Sequence, residues 1–195
     1  MSLDDVRDAL ADGGTRNKWI GVWVGVLAAL LAVCTMGGDN AAKDANRANI
    51  DASNKWAFFQ AKNIRRHELR LQTGEFEVLL ASNQQLPDVA RKLIDEKIAK
   101  YRKDEARLTS EPETGEGLNE LLVKGKALEV QRDRAMLKDP FFDYGQALLQ
   151  VAIVLASIAI ITGGTSLLVL SGLMAALGIV STLNGFFLFF GAPFI

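Results

Sequence analysis

The sequence predicts an all-α membrane protein with three transmembrane helices, and with a helical hairpin or small bundle between the first and the second. Two apolar blocks carry this prediction, because Asp, Glu, Lys and Arg are absent from residues 19–38 and from residues 144–195 although 23% of the chain is charged. A helix that rises about 1.5 Å per residue needs roughly 20 apolar residues to cross a hydrocarbon core. The first block is therefore long enough for one crossing and the second for two.

These lengths divide the chain into a polar N-terminal segment, three membrane helices and a helical extramembrane domain. The N-terminal segment is residues 1–18, and the extramembrane domain is residues 37–143. The three membrane helices are residues 19–36, 144–162 and 167–190. The paired glycines Gly163 and Gly164 predict the turn between the last two membrane helices. A buried hairpin in a soluble core is the alternative, but the remaining hydrophilic residues supply too little chain to cover it.

The first apolar block also has features of a secretory leader. Arg16 and Lys18 precede it, and the segment from Leu31 to Cys34 is similar to a lipoprotein cleavage box. Val33 stands where that box requires a small side chain, and four aspartates oppose the positive region that a leader needs. We expect a retained transmembrane helix, with lipoprotein processing as the alternative. Cys34 is the only cysteine, so no intrachain disulfide can form.

The middle of the chain is polar but electrically balanced. Residues 39–143 contain 19 Lys and Arg against 19 Asp and Glu, which gives no clustered basic surface for nucleic acid. Abundant helix formers and scarce prolines predict three helices, at about 40–72, from Pro87 onwards, and at about 118–138. An exposed loop is expected at Glu111 to Gly117.

Small residues at three- and four-residue spacing mark the predicted packing faces, since small side chains let helix backbones approach closely in lipid. Lys55 interrupts the alanine seam that follows the first span. The predicted helix-packing interface consists of Gly21, Gly25 and Ala29 in the first span; Ala41, Ala45, Ala48, Ala52, Trp56 and Phe59 beyond it; Ala152, Ala156 and Ala159 in the second; and Ser171, Ala175, Gly178 and Thr182 in the third.

The sequence predicts no catalytic, cofactor-binding or metal-binding residues. His67 is the only histidine, and neighbouring carboxylates such as Asp95 and Glu96 point in different directions on a helix. Gly163 and Gly164 lack the surrounding pattern of a phosphate-binding loop. The three spans contain no Asp, Glu, Lys, Arg or His, which argues against a secondary transporter.

Two short stretches carry a resemblance to a known family. They are Asn17-Lys18-Trp19, which opens the first span, and the run from Ala52 to Lys62, which includes a tryptophan, paired aromatics and a glutamine-alanine-lysine ending. The chain resembles a bacterial three-pass membrane family labelled domain of unknown function forty-three thirty-seven. It departs from that family in having Phe58 and Phe59 where tyrosines are expected, and in lacking basic residues between the last two spans. The resemblance implies the three-span architecture and no established activity.

We therefore expect a non-enzymatic integral membrane protein that self-associates or scaffolds a partner through its helical extramembrane domain. The alternative is an oligomeric channel or pore component. The expected partners are the lipid bilayer, a second copy of the chain and another membrane protein, with no nucleic acid and no cofactor. Arg16 and Lys18 before the first span favour a cytoplasmic N-terminus in a bacterial inner membrane and a periplasmic extramembrane domain. A second copy would cover the alanine seam, unless the returning helix at 118–136 covers it within one chain.

Overall fold

The computed structural model describes residues 3–191, with the surroundings of side chains given for Gly14 and for residues 16–191. This part of the chain contains five helices and no strand. They are α1 (Leu3–Ser82), α2 (Asp88–Thr109), α3 (Leu118–Met136), α4 (Asp139–Thr162) and α5 (Thr165–Phe187). Two compact units form, which we call the first unit (Met1–Ala45 with Asp133–Ile195) and the second unit (Asn46–Arg132).

Helix α1 differs most from the sequence-based expectation. It continues without a break for 80 residues, whereas the sequence predicts a first span followed by a separate helix from about residue 40. Gly37 and Gly38 suggest an interruption because each glycine costs a helix interior about 1 kcal/mol relative to alanine. A Cβ atom at Gly37 would lie 2.4 Å from Cε1 of Phe142. The glycines therefore admit an aromatic ring against α1 and do not end the helix.

Helices α4 and α5 are joined by the predicted turn. Helix α4 begins at Asp139, with Pro140 in its first turn, and so starts before the predicted position 144. It ends at Gly163, whose φ of 67° is the left-handed conformation that glycine adopts without strain. The Gly163 N–H donates to the Ala159 carbonyl at 3.0 Å. Helix α5 follows at once from Thr165.

Three helical stretches are long and apolar enough to cross a membrane. One lies in α1, one in the stretch Leu118–Thr162 that ends with α4, and one in α5. The three helices meet in the core of the first unit. That core comprises Leu27, Cys34 and Ala41 of α1, Phe142, Leu149 and Ala152 of α4, and Ala175 of α5.

The second unit consists of the remainder of α1 together with α2 and α3. Phe76 of α1 stacks on Tyr101 of α2 with ring centroids 6.1 Å apart, and Arg102 donates to Glu77 at 2.6 Å. At α3, a Cβ on Gly125 would lie 3.0 Å from the Trp56 ring. Both later helices therefore pack against the same long helix.

Candidate packing interfaces and the groove of the second unit

The small residues predicted for the second and third spans come together between α4 and α5. All of them are buried: Ala152, Ala156 and Ala159 on α4, and Ser171, Ala175, Gly178 and Thr182 on α5. A Cβ at Gly178 would lie 3.0 Å from Cγ of Leu149 and 3.2 Å from the Gly145 carbonyl oxygen. The short side chains thus let the two backbones approach within van der Waals contact.

A chain of hydrogen bonds joins all three helices of the first unit. The indole Nε1–H of Trp23 donates to Ser171 Oγ at 3.2 Å, and the Ser171 hydroxyl donates to the Ala152 carbonyl at 2.8 Å. Ser171 is fully buried, so its single donor and its acceptor capacity are both used. Ser171, which the sequence predicts as a small packing residue, therefore also connects α1, α4 and α5 by hydrogen bonds.

A second contact between α1, α4 and α5 forms around Cys34, and the sequence did not predict it. The Cys34 thiol donates to the Phe142 carbonyl at 3.4 Å, and the Thr182 hydroxyl lies 3.2 Å from the sulfur while it donates to the Gly178 carbonyl at 2.8 Å. A Cβ at Gly145 would lie 2.6 Å from Thr182 Oγ1. Glycines inside strongly helical apolar sequence are the signal that could have located this contact.

The predicted face on the first span has no neighbour within the described part of the chain. Gly21, Gly25 and Ala29 are exposed. A Cβ atom placed at Gly21 or at Gly25 meets nothing within 4 Å. These two glycines are therefore not required by packing inside a single chain.

The alanine seam beyond the first span is buried within one chain. Ala41, Ala48 and Ala52 are buried and Ala45 is partly buried. Trp56 and Phe59 extend the seam, with their rings 5.6 Å apart and edge to face. The Trp56 Nε1–H donates to Glu129 Oε1 of α3 at 3.0 Å. The contacts of Trp56 favour the alternative in which the returning helix α3 covers this end of the seam, whereas Ala41 belongs to the core of the first unit.

A basic side chain lies at the α4–α5 turn, although the turn itself contains none. A guanidinium nitrogen of Arg16 lies 3.1 Å from the position of a Cβ on Gly163. The carbonyl end of a helix carries partial negative charge, which a nearby cation stabilises. Arg16 thus supplies the turn with the positive charge that the sequence between the two helices lacks.

The second unit contains a groove of about 480 Å³ between α1, α2 and the loop that follows α2. Its lining residues are Phe58, Lys62, Arg65, Leu69, Asp104, Arg107, Leu108, Glu111 and Glu116. Three side chains are cationic and three are anionic. Lys62 lies 3.7 Å from Glu116 and 4.0 Å from Glu111, and Arg107 lies 2.8 Å from Glu111. The groove therefore has no excess charge of either sign.

The loop between α2 and α3 is held by two carboxylates. Burial acts to raise the pKa of Glu111, but hydrogen bonds from Thr114 and Arg107 and the charge of Lys62 outweigh it and hold the pKa below its ordinary value. The pKa of Glu120 is lowered because Ser110 and the Glu111 N–H donate to its carboxylate at 2.7 and 3.1 Å. Both side chains therefore stabilise the loop in their ionised forms.

In the part of the chain that the structure describes, no group of three or more His, Cys, Asp and Glu residues is placed to hold a metal ion. His67 lies exposed on α1.

Within residues 3–191 the protein is all-α. Three of its helical stretches are long and apolar enough to cross a membrane. The chain belongs to the family of the domain of unknown function DUF4337, whose model matches residues 16–188. The family resemblance carried by Asn17-Lys18-Trp19 and the Ala52–Lys62 run is thus confirmed. No curated protein and no solved structure matches the chain.

Proposed function

We propose that this chain is a non-enzymatic integral protein of a bacterial inner membrane, which self-associates or scaffolds a partner through its helical extramembrane domain. The exposure of the apolar stretches carries the proposal. Only 22%, 28% and 22% of the residues in the three most apolar windows are buried. A soluble protein would have to leave large contiguous apolar surfaces in water, whereas a bilayer solvates them.

The contacts between the spans support a scaffold more than a pore. A pore lined by hydroxyls of the third span is the alternative function. Ser171 and Thr182 are buried, and both donate to backbone carbonyls within the same chain. These two hydroxyls are therefore occupied in helix packing and are not available to line a lumen.

The position of Arg16 supports a cytoplasmic N-terminus. Arg16 and Lys18 precede the first span, and Arg16 also lies at the α4–α5 turn. Positive charges close to membrane helices are retained on the cytoplasmic side. The N-terminus and the turn would then face the cytoplasm, and residues 37–143 would form a small helical bundle in the periplasm.

Extraction and native mass measurement test the proposal. Alkaline carbonate should leave the protein in the membrane pellet, and mild detergent should release it as an oligomer or as a complex with another protein. Recovery in the carbonate supernatant would contradict membrane integration. A bare monomer at every protein concentration would contradict both self-association and scaffolding.

Flux measurements separate the scaffold from the pore. Purified protein in liposomes should leave ion and small-solute permeability at the level of empty vesicles. Robust flux that depends on protein concentration would replace the scaffold with the channel alternative.

A further inference from the structure

Helix α1 carries a second apolar stripe, which the second unit leaves open. Residues Ile50, Ala57, Ile64, Leu71 and Val78 recur at every seventh position. Ala57 is exposed, and the four larger side chains are 59%, 61%, 55% and 67% exposed in chain order. Scattered exposed apolar residues are ordinary in proteins, but these five recur at one strict spacing and lie in a row along one side of the helix. We call this surface the heptad stripe.

The heptad stripe lies on the side of α1 that faces away from the rest of the second unit. A helix turns about 100° per residue, so Ile50 and Ala57 point away from Ala48 and Ala52. Ala48, Ala52 and Thr73 are buried within the second unit. Helix α1 therefore has one face used inside the chain and an opposite face that is apolar and unused.

A seven-residue repeat indicates the kind of partner. On a straight helix, residues seven positions apart are rotated by about 20° relative to one another. A row of such residues therefore stays in contact with a partner helix only when the two helices supercoil around each other. Such pairing requires a partner helix with the same repeat. Parallel two-stranded coils favour β-branched residues at the position called a, which Ile50, Ile64 and Val78 occupy in this register. A second copy of α1 satisfies both requirements.

Charges beside the heptad stripe fit a parallel second copy in register. With Leu71 at a, Arg70 occupies the flanking g position and Glu75 the flanking e position. In a parallel coil, each g side chain faces the e side chain of the following heptad on the other helix. Arg70 would then face Glu75 of the partner subunit, and two-fold symmetry would repeat the contact. Both residues are exposed. The Nε of Arg70 donates to Glu105 of α2 in the same chain, so the contact with a partner would use the other N–H groups of the guanidinium.

A shallow groove on the stripe provides room for the contact. It is lined by Arg70, Leu71, Gly74, Glu75 and Val78 and has a volume of about 490 Å³. A Cβ at Gly74 would meet nothing within 4 Å. Gly74 therefore opens a hole between Leu71 and Val78 that can receive a side chain from a neighbouring helix.

We propose that two copies of this chain pair in parallel through the heptad stripe of α1. The proposal rests on the self-association proposed above and assigns a surface to it. The positions called d hold small or polar residues, namely Ser53, Gln60, His67, Gly74 and Ala81. The contact is therefore weaker than a leucine zipper and depends on the bilayer, which holds both copies in one orientation at high local concentration.

Glutamate substitutions test the surface with a matched control. Val78→Glu and Leu71→Glu should each weaken dimerisation in liposomes by about tenfold or more, because each buries two carboxylates in the contact. Val130→Glu is the control, since Val130 on α3 is 66% exposed but lies outside the stripe. Energy transfer between labelled copies measures the dissociation constant, and circular dichroism shows that each variant is folded. Equal weakening by Val130→Glu would contradict the assignment.

Disulfide trapping separates this proposal from the proposed function. Ile64→Cys and Leu71→Cys should form intermolecular disulfides on mild oxidation, because paired a positions lie side by side across the two-fold axis. Val130→Cys and the wild-type chain, whose Cys34 is buried, should not. A wild-type dimer without trapping at these positions would overturn the stripe and leave self-association standing. A wild-type monomer in the bilayer, with no other protein bound to it, would overturn both.

Discussion

Phe142 illustrates how single residues determine the packing of the first unit. Its ring is buried, and Cβ atoms at Gly37, Gly38 and Gly185 would each lie within 3.2 Å of its side chain. The ring of Phe186 meets it edge to face at 5.0 Å. Glycines on two different helices thus form the walls around one aromatic side chain, and that side chain cannot move aside.

A methyl group at Gly37 should therefore destabilise the protein. Gly37→Ala places Cβ 2.4 Å from the enclosed Phe142 ring, and overpacking of this kind costs about 1–3 kcal/mol. Gly21→Ala is the matched control, because its Cβ meets nothing within 4 Å and alanine is the better helix former. Thermal unfolding in detergent should show a lower midpoint for Gly37→Ala only. A loss of the same size at Gly21 would contradict the assignment.

The hydrogen-bond chain through Ser171 gives a second test at this scale. Ser171→Ala leaves the Trp23 indole and the Ala152 carbonyl without the partner that joins three helices, which should cost about 0.5–2 kcal/mol. Ser157→Ala is the control, because the exposed Ser157 hydroxyl donates only to the Ile153 carbonyl of its own helix. Unfolding by sodium dodecyl sulfate should distinguish the two variants. Equal stability would show that the link is not structural.

The spacing of small residues in α4 and α5 predicts which of them face another helix, but not which atoms they touch. The spacing of Ala152, Ser171 and Gly178 is sufficient to place them on one helix face. The contacts of Cys34 and Phe142 depend on residues more than 100 positions apart in the chain. Glycine in a helix interior has two possible meanings, a break or a close approach, and only the tertiary partner decides between them.

Helix α1 shows the same limit for a whole element. The three- and four-residue steps predict the alanine seam as a packing face, and its residues Ala41, Ala48 and Ala52 are buried in the structure, but α3 and a second copy were both possible partners. The heptad stripe was not predicted. The small residues of the alanine seam give the more evident pattern in this part of the sequence, and the repeat of Ile, Leu and Val lies on the opposite face of the helix. A helix with two packing faces has no single apolar stripe, so its periodicity is hard to recognise in sequence.

The α2–α3 loop should loosen in acid. The pKa values of Glu111 and Glu120 are lowered in the folded protein. Their contribution to the stability of the loop is therefore complete above the ordinary carboxyl range, and it is lost as the pH falls through the lowered pKa values. Hydrogen exchange of the loop amides, corrected for intrinsic rates, should therefore show falling protection as the pH drops below about 4.3, the ordinary pKa of a glutamate.

Glu120→Gln should flatten that pH profile, because an amide does not titrate and keeps only part of the hydrogen bonding from Ser110 and the Glu111 N–H. Glu113→Gln alters an exposed carboxylate in the same loop and serves as the control. An unchanged profile in Glu120→Gln would show that Glu120 does not hold the loop.

At the scale of the whole molecule, the orientation proposal predicts a labelling pattern. Cysteines at Asn17 and Ser166 should resist an impermeant maleimide on intact spheroplasts, and a cysteine at Ser110 should react. Asn17 follows Arg16 directly, and Ser166 lies in the first turn of α5, beside the Gly163 turn where Arg16 lies. Membrane permeabilisation should make all three reactive. Reaction at Asn17 and Ser166 with protection at Ser110 would reverse the orientation.

The hydrogen bond between Trp23 and Ser171 joins residues 148 positions apart, which has a consequence for biosynthesis. At about 5–20 residues per second, the ribosome needs roughly 7–30 s to make Ser171 after Trp23. During that interval the first unit lacks α5, and the Trp23 indole has no serine to donate to. Nascent chains that stop before α5 therefore expose an incomplete bundle, which is the form that membrane proteases and insertion chaperones would encounter. Synthesis of α5 supplies the third helix of the first unit and ends that interval.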